Sequence, residues 1–366
     1  MKTDGNAIFY CQGAFNTPNG KTAHGLARFC RRYHVAAVVD SRHAGQDALA
    51  VLDGRNSGIP VVASIAAALR SAEKAGTPAT HLVIGIAPDG GRLSERARQD
   101  VLEAIGFKLN VDGGLHDFLG EDPQIARHAQ RHQVTLRDIR RPPKRDRLHF
   151  FCGKIEQVRA LKIAVLGTDS AVGKRTTAWL VVQAFERSGC QVEMIGTGQT
   201  AWMQGARYAM VLDALVNDFV SGEIEHAVWS AWNDRHPDLI VIEGQGSLMN
   251  PAYPGGFEIL AAGRPDLVIL QHPPARKDYD GFPGYPIHPL HQQIQAIEIL
   301  AGKPVVAVAV NREGLDPGQI PVVCDSIKMI TGLPAFDVLR DQGQGLFDLL
   351  LPYLRKNGRE QAGAVE

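Results

Sequence analysis

The sequence lacks an excess of charge of either sign, and it lacks an apolar run long enough to cross a bilayer. Its 39 Lys and Arg residues balance its 39 Asp and Glu residues, so the formal net charge at pH 7 is +0. Proteins that bind nucleic acids normally carry a basic excess, which disfavours that class. A membrane-spanning helix needs roughly 20 consecutive apolar residues, and the N-terminal segment has no cleavage signal of a secretory peptide. We therefore expect a cytoplasmic protein without nucleic-acid or membrane partners.

Cysteine is scarce, with five residues and no Cys-x-x-Cys pair. Such scattered residues are typical of reduced, mostly buried thiols and not of a disulfide framework or a zinc site. The first part of the chain also lacks the G-x-G-x-x-G fingerprint of dinucleotide-binding domains, so the sequence predicts no NAD site. Hydrophobic residues make up 45% of the chain, which is enough for a sizeable core.

The order of apolar segments predicts two α/β domains. Short apolar runs alternate with amphipathic helical patterns, and this alternation favours parallel sheets with helices on their faces. Two prolines in the basic segment "RDIRRPPKRDRLHFF" break the pattern, since proline continues neither a helix nor a central strand. We predict an N-terminal domain over 1–140, a linker over 141–152 and a C-terminal domain over 153–366. Pro352 is expected to interrupt the last helix.

The stretch "VLGTDSAVGKRTT" (165–177) connects a predicted strand to a predicted helix. It resembles the phosphate-binding loop G-x-x-x-x-G-K-[ST], although Thr168 replaces the first glycine and Arg175 replaces the hydroxyl that binds magnesium. A guanidinium binds phosphate oxygens but does not coordinate a metal. Thr176 or Thr177 could hold a metal only if the helix began later, and we predict no bound metal. The predicted phosphate-binding residues are Thr168, Asp169, Ser170, Ala171, Gly173, Lys174, Arg175, Thr176 and Thr177.

Two candidate catalytic residues end other predicted strands. Glu243 closes "DLIVIEG", at the position where phosphate-loop proteins carry a second metal or water ligand. His272 closes "DLVILQH", and the ordinary pKa of histidine suits a general base. A histidine before two prolines is more often structural. Both residues are therefore candidates for proton transfer, with the structural alternative open for His272.

Further polar residues suit the binding of a small substrate. Gln199, Trp202 and Gln204 follow a predicted strand, where amides and an indole can recognise a polar ligand. A buried loop satisfied by its own glutamines is the alternative. Arg276 and Lys277 follow the strand that ends at His272, and such a pair can hold a carboxylate or a phosphate.

The motifs as a set resemble one known family. They are "GTDSAVGKRTTA", "TGQTAWMQG", "LDALVNDFVSGEIE", "IEGQGSLMNP" and "LQHPPARK" in the second domain, and "KTAHGL", "VVDSRHAGQDA", "APDGGRLS" and "GLHDFL" in the first. The set is similar to the DgcN-like family of D-glutamate (D-amino acid) N-acetyltransferases, two-domain P-loop proteins formerly labelled a domain of unknown function. The chain departs from that pattern at Ser170, where the family often has Cys, and at Ala201, where it often has Gly.

The resemblance implies a Rossmann-like N-terminal domain and a parallel-sheet P-loop C-terminal domain of the dethiobiotin-synthetase-like type. It also implies an N-acetyltransferase that moves the acetyl group of acetyl-CoA, as co-substrate, to the amino group of a D-amino acid, with D-glutamate as the expected acceptor. The phosphate loop would then hold phosphates of coenzyme A, and Arg276 and Lys277 would hold the carboxylate of the amino acid. Cytosolic enzymes of this size commonly form symmetric oligomers, so we expect a homo-oligomer.

Two other functions remain open from the residues alone. An ATP-dependent kinase or ligase of the dethiobiotin synthetase type would use the same loop, with magnesium held by Thr176 or Glu243. Arg175 disfavours this alternative because it weakens the metal site. A non-catalytic nucleotide sensor would need fewer polar residues at its strand ends than this sequence carries.

Overall fold

Two parallel sheets organise residues 2–363, which are the residues that the computed structural model describes. The chain divides into one unit of Met1–Pro142 and Gln199–Gly205 and a second unit of Pro143–Gly198 and Ala206–Glu366. The division after Pro142 falls inside the predicted linker. The short segment Gln199–Gly205, in contrast, belongs to the first unit although it lies far along the sequence.

The first unit is built around a six-stranded parallel sheet. Along residues 2–142 its strands and α-helices are β1 (Gly5–Tyr10), α1 (Lys21–Arg28), β2 (Tyr33–Val39), α2 (Ala48–Asp53), β3 (Val61–Val62), α3 (Ile65–Lys74), β4 (His81–Ile84), α4 (Glu95–Gly106), β5 (Asn110–Gly113), α5 (Pro123–His132) and β6 (Leu136–Asp138). The strand order is β3-β2-β1-β4-β5-β6. Successive side chains of β1 point to opposite faces, so Ile8 and Tyr10 join one apolar cluster while Ala7 and Phe9 join another.

The second unit contains a seven-stranded parallel sheet. Along residues 143–363 the strands and α-helices are β7 (Leu161–Gly167), α6 (Lys174–Arg187), β8 (Val192–Gly196), α7 (Gln199–Gln204, part of the first unit), β9 (Tyr208–Ala209), α8 (Asn217–Arg235), β10 (Leu239–Glu243), α9 (Phe257–Gly263), β11 (Leu267–His272), α10 (Leu290–Ala301), β12 (Val305–Val310), α11 (Ile320–Thr331), β13 (Ala335–Phe336) and α12 (Gln344–Gly363). The strand order is β13-β12-β11-β7-β10-β8-β9. The strands β7, β10 and β12 are buried throughout, as expected for central strands covered on both faces.

The two sheets confirm the predicted α/β class, but the expectation for Pro352 is wrong. The helix α12 continues through this residue. A proline inside a helix removes one backbone hydrogen bond, here the one to the carbonyl of Asp348. Both Pro352 and Asp348 are exposed, so water can satisfy that carbonyl and the helix can tolerate the loss.

No helix within residues 2–363 combines the length and the apolar character that crossing a membrane requires.

Candidate functional site

The carboxyl ends of three neighbouring strands meet at one edge of the second sheet. Glu243 is the last residue of β10 and pairs with Val165 of β7. Gln271 of β11 pairs with Gly167, the last residue of β7. Because β7 lies between β11 and β10, the loop that follows Gly167 has His272 on one side and Glu243 on the other. The structure therefore brings together the two candidate catalytic residues and the predicted phosphate loop.

The loop from Thr168 to Gly173 leads directly into α6. Gly173 has a φ of 103°, a left-handed conformation that favours glycine. The helix begins at Lys174 without a side-chain cap, so its first N–H groups are directed at the loop. An uncapped helix start beside a lysine is an arrangement that binds anions. The local geometry thus agrees with a phosphate-binding loop.

Lys174 is buried, and its ammonium group donates hydrogen bonds to two backbone carbonyls. Nζ lies 2.7 Å from the carbonyl oxygen of Asp169 and 2.7 Å from that of Gly246. Burial lowers the pKa of Lys174 to about 8, against the opposing effect of the Asp169 and Glu243 carboxylates. Because an ammonium group has three donors, an anion bound at the loop could accept the third.

Asp169 is fully buried and joins three segments of the chain through its carboxylate. Oδ1 accepts hydrogen bonds from the backbone N–H of Ser170 and from Nδ2 of Asn250, both at 2.7 Å. Oδ2 accepts from Nη1 of Arg276 at 2.7 Å and from the N–H of Asp280 at 2.8 Å. The hydroxyl of Ser170 also donates to the Asp280 carboxylate, at 2.9 Å. Asp169 therefore holds the shape of the loop, while its predicted contact with a ligand stays a prediction.

Arg276 is engaged within the protein on both sides of its guanidinium. Besides Asp169, it donates to the carbonyl of Ser170 at 2.9 Å and to the carboxylate of Glu313 at 2.5 Å. A guanidinium has five N–H donors, so a substrate carboxylate could bind only through the donors that these three bonds leave. Lys277 is exposed, and its ammonium group has no comparable set of contacts among the described residues. The substrate-binding role of both residues stays a prediction, and for Arg276 the contacts assign a second role, in fixing the loop.

Glu243 is buried beside the cations of the loop. Nη1 of Arg175 lies 3.9 Å from its Oε1, and the N–H of Thr197 donates to its Oε2 at 3.0 Å. Burial raises the pKa of Glu243, while Arg175, the Thr197 hydrogen bond and Lys174 lower it in part. A carboxyl group with a raised pKa accepts and releases a proton closer to neutral pH than an exposed one. This environment suits a general base.

His272 lies on the other side of the loop. Its Nδ1 is 2.9 Å from the hydroxyl oxygen of Thr168, and burial lowers the pKa of His272 to about 4. The imidazole is therefore neutral at physiological pH but a weak proton acceptor. His272 also lines a groove of about 410 Å³. The structure connects His272 to the phosphate loop, and its catalytic role stays a prediction.

The remaining residues of the predicted loop differ in their surroundings. Ala171 is exposed, and Thr176 is half-buried on the first turn of α6. The hydroxyl of Thr177 donates to the buried side chain of Gln271 at 2.5 Å. Thr177 would have to give up this bond to donate to a phosphate, whereas the lone pairs of its oxygen are not used by it.

The three residues of the predicted amide and indole group lie in α7, within the first unit. Gln204 donates to the carbonyls of Gly25 and Phe29, at 2.7 and 3.1 Å. The ring of Trp202 stacks under the guanidinium of Arg32, 3.6 Å from the ring centroid. Gln199 packs so closely against Gly114 that a Cβ there would lie 2.5 Å from its Cγ. These contacts match the alternative of a self-satisfied buried segment, and the substrate role stays a prediction.

The sequence interpretation missed four residues that shape the site. Asn250 and Asp280 support Asp169, Thr197 holds Glu243, and Asn311 donates to the carbonyl of Val172 in the loop at 2.6 Å. Thr197 directly follows β8, and Asn311 directly follows β12. Their positions after strands were a usable signal, because the carboxyl ends of parallel strands share one edge.

Comparison with known proteins identifies the family. Residues 149–347 match the model described as a domain of unknown function, the DUF1611 C-terminal P-loop domain, and residues 41–142 match the DUF1611 N-terminal Rossmann-like domain. The chain belongs to the DUF1611 family. A solved DUF1611 protein from Anabaena variabilis superposes with a TM-score of 0.85 at 27% identity, over 95% of this chain and 100% of its own. The predicted Rossmann-like and P-loop domains are confirmed.

Two curated proteins resemble this DUF1611 chain over most of their length, and both are named D-glutamate N-acetyltransferase. The protein from Pseudoalteromonas sp. is 30% identical over 276 residues, 74% of this chain and 80% of its own. The protein from Tritonibacter scottomollicae is 31% identical over 288 residues, 77% of this chain and 84% of its own. The family recognised from the sequence motifs is thus confirmed.

Proposed function

We propose that this protein transfers the acetyl group of acetyl-CoA to the amino group of a D-amino acid, with D-glutamate as the expected acceptor. The names of the two curated relatives, 30% and 31% identical to this chain, support an N-acetyltransferase activity. This observation carries the proposal. The identities of the acyl donor and of the acceptor are the proposal's finer part, and the chemistry of the site supports them as follows.

The cations of the phosphate loop support a coenzyme A ligand. Lys174 and Arg175 begin α6, where the helix dipole also favours negative charge. In a metal-dependent loop, a hydroxyl would stand in the place of Arg175 and hold magnesium near an acidic residue. Here the guanidinium itself lies beside Glu243. Two protein cations suit the phosphates of coenzyme A, whose thioester chemistry needs no metal.

The surroundings of Glu243 support its role as general base. Acetyl transfer needs a neutral amine, and the proton that the amine nitrogen loses must go to a base. The carboxylate of Glu243 would accept that proton as the new C–N bond forms and the C–S bond breaks. The proton then passes to the leaving thiolate, so the net reaction yields the N-acetyl amino acid and coenzyme A. Backbone N–H groups near the phosphate loop would stabilise the oxyanion that develops on the carbonyl.

The test is an assay for free thiol with acetyl-CoA and a panel of D- and L-amino acids. We expect thiol release with D-glutamate, a lower rate with L-glutamate, and mass-spectrometric detection of the N-acetyl product. Glu243→Gln should remove most of the rate while acetyl-CoA still binds. Glu103→Gln, an exposed control, should leave the rate unchanged.

One outcome would favour the kinase or ligase alternative. Tight binding of Mg-ATP with ATP hydrolysis, and no thiol release with any amino acid, would overturn the acetyltransferase proposal. If thiol is released but L-amino acids are preferred, the proposed acetyl transfer stands and the proposed D-amino acid acceptor is wrong.

A further inference from the structure

A groove of about 410 Å³ lies beside the carboxyl end of β11. It runs between the start of α10 and one side of α11. Its walls are mainly apolar and include Pro274, Leu290, Val323, Ile327 and Ile330. Its volume falls in the range of about 300–1,000 Å³ that is usual for small-molecule pockets. The groove is therefore large enough for part of a cofactor-sized ligand.

His272 connects this groove to the phosphate loop. His272 forms part of the groove wall, and its Nδ1 lies 2.9 Å from the hydroxyl oxygen of Thr168, the first residue of the loop. The groove and the phosphate loop thus meet at His272. Burial keeps this imidazole neutral, with a pKa of about 4, so its face toward the groove carries no charge.

The strand order separates the groove from the proposed general base. The groove lies on the β11 side of the loop, whereas Glu243 and Arg175 lie on the β10 side. Coenzyme A also has two different ends on either side of its pyrophosphate, namely a purine nucleoside and a pantetheine arm that carries the thioester. The thioester must reach Glu243 if that carboxylate is the base. The other end of the molecule then extends toward the groove.

Resting on the function proposed above, we infer that this groove binds the adenosine end of the acyl-CoA. A flat purine fits between aliphatic and proline side chains, and apolar contact of this kind is how most ligand pockets hold such rings. The opposite orientation would bring the thioester into the groove, on the far side of the loop from Glu243. The groove therefore determines which end of the donor reaches the reacting groups.

The test fills the groove without touching the loop. Ser326 is half-buried and lines the groove, so Ser326→Trp blocks it. Lys328→Trp adds the same ring to an exposed position of the same helix outside the groove and serves as the matched control. Isothermal titration with adenosine 3′,5′-bisphosphate, acetyl-CoA and acetyl-pantetheine gives the affinities, and the thiol assay gives kcat and KM. Thermal unfolding of each variant checks the fold.

We expect Ser326→Trp to weaken the binding of adenosine 3′,5′-bisphosphate and of acetyl-CoA, each by about tenfold or more. KM for acetyl-CoA should rise equally, with kcat at saturation unchanged, and Lys328→Trp should match the wild type. If Ser326→Trp fails to fold, Ile330→Asp at the exposed rim tests the same groove. Unchanged affinity for adenosine 3′,5′-bisphosphate, or weaker acetyl-pantetheine binding with a lower kcat, would overturn the inference. A wild-type protein that binds no acetyl-CoA would instead overturn the proposed function.

Discussion

Nη1 of Arg175 lies 3.9 Å from Oε1 of Glu243, where a metal-dependent phosphate loop would hold a metal ion between a hydroxyl and a carboxylate. The positive charge beside this buried carboxylate therefore belongs to the protein itself. The guanidinium favours the ionised form of Glu243, whereas burial favours the protonated form. These opposing effects contribute to the pH at which Glu243 loses its proton.

Arg175→Gln should move the acidic limb of the pH–rate profile to higher pH. Because Arg175 lowers the pKa of Glu243, its removal raises that pKa further, and a higher pH is then needed to ionise the base. The measurement is kcat/KM for the amino acid between pH 5 and pH 9. Arg187→Gln, an exposed change near the end of the same helix, is the control. A limb that stays in place in Arg175→Gln would exclude Glu243 as the titrating group.

Lys174→Ala should weaken acetyl-CoA binding by about 10- to 100-fold, the loss expected for charge-assisted hydrogen bonds worth about 1.5–3 kcal/mol. The exposed Lys303→Ala is the matched control. Calorimetric titration gives both dissociation constants. Normal binding by Lys174→Ala would remove the loop from the proposed site.

The pH dependence of binding gives a second test of Lys174. The pKa of Lys174 is lowered to about 8 in the free protein, so the ammonium form is lost as pH rises through that value. Affinity for acetyl-CoA should therefore fall between pH 7 and pH 9. In Lys174→Arg the charge persists, and this decline should disappear. An equal decline in both proteins would assign the effect to another group.

The sequence alone was enough to predict that the residues at the ends of neighbouring strands lie close together. Gly167, Glu243 and His272 each end an apolar run, and parallel strands bring such ends to one edge. The role of Asp169 could not be predicted in this way, since its partners Asn250 and Asp280 come from loops whose paths no local pattern specifies. The same holds for the contacts of Arg276, because its partners Asp169 and Glu313 lie in separate loops.

The contribution of α7 to the first unit was also beyond the sequence pattern. The sequence predicts that its side chains bind a ligand, because they follow a strand of the second sheet. Gln204 donates hydrogen bonds to the carbonyls of Gly25 and Phe29, at the end of α1, and this long-range pairing depends on the folded chain. Periodicity and spacing report on local structure only.

His272 should make the protein less stable in mild acid. Its pKa is about 4 in the folded state against 6.5 when exposed, so between these values only the unfolded chain binds the proton. Stability is thus fully present above about pH 6.5 and falls as pH decreases toward 4, by about 2 kcal/mol at pH 5. Urea unfolding of the wild type and of His272→Gln at pH 7 and pH 5 measures the difference. Equal losses in both proteins would contradict the prediction.

Asp169 and Arg276 should show strong coupling in a double-mutant cycle. Asp169 is fully buried and the ion pair measures 2.7 Å, so Asp169→Asn or Arg276→Gln alone should cost about 3–5 kcal/mol of unfolding free energy. The double variant should cost clearly less than the sum. If Arg276→Gln instead leaves stability unchanged and raises KM for the amino acid, the predicted contact with the substrate carboxylate is correct and the structural role is wrong.

The first unit is assembled from two separate stretches of chain, since Gln199–Gly205 joins Met1–Pro142. An N-terminal domain usually folds on the ribosome before the next one is made. Here Met203 completes an apolar cluster with Phe9 and Leu26, so the first unit cannot finish its core until translation has passed β7, the phosphate loop and β8. The order of synthesis therefore interleaves the two units, and a gene truncated after the linker would encode a first unit that lacks part of its interior.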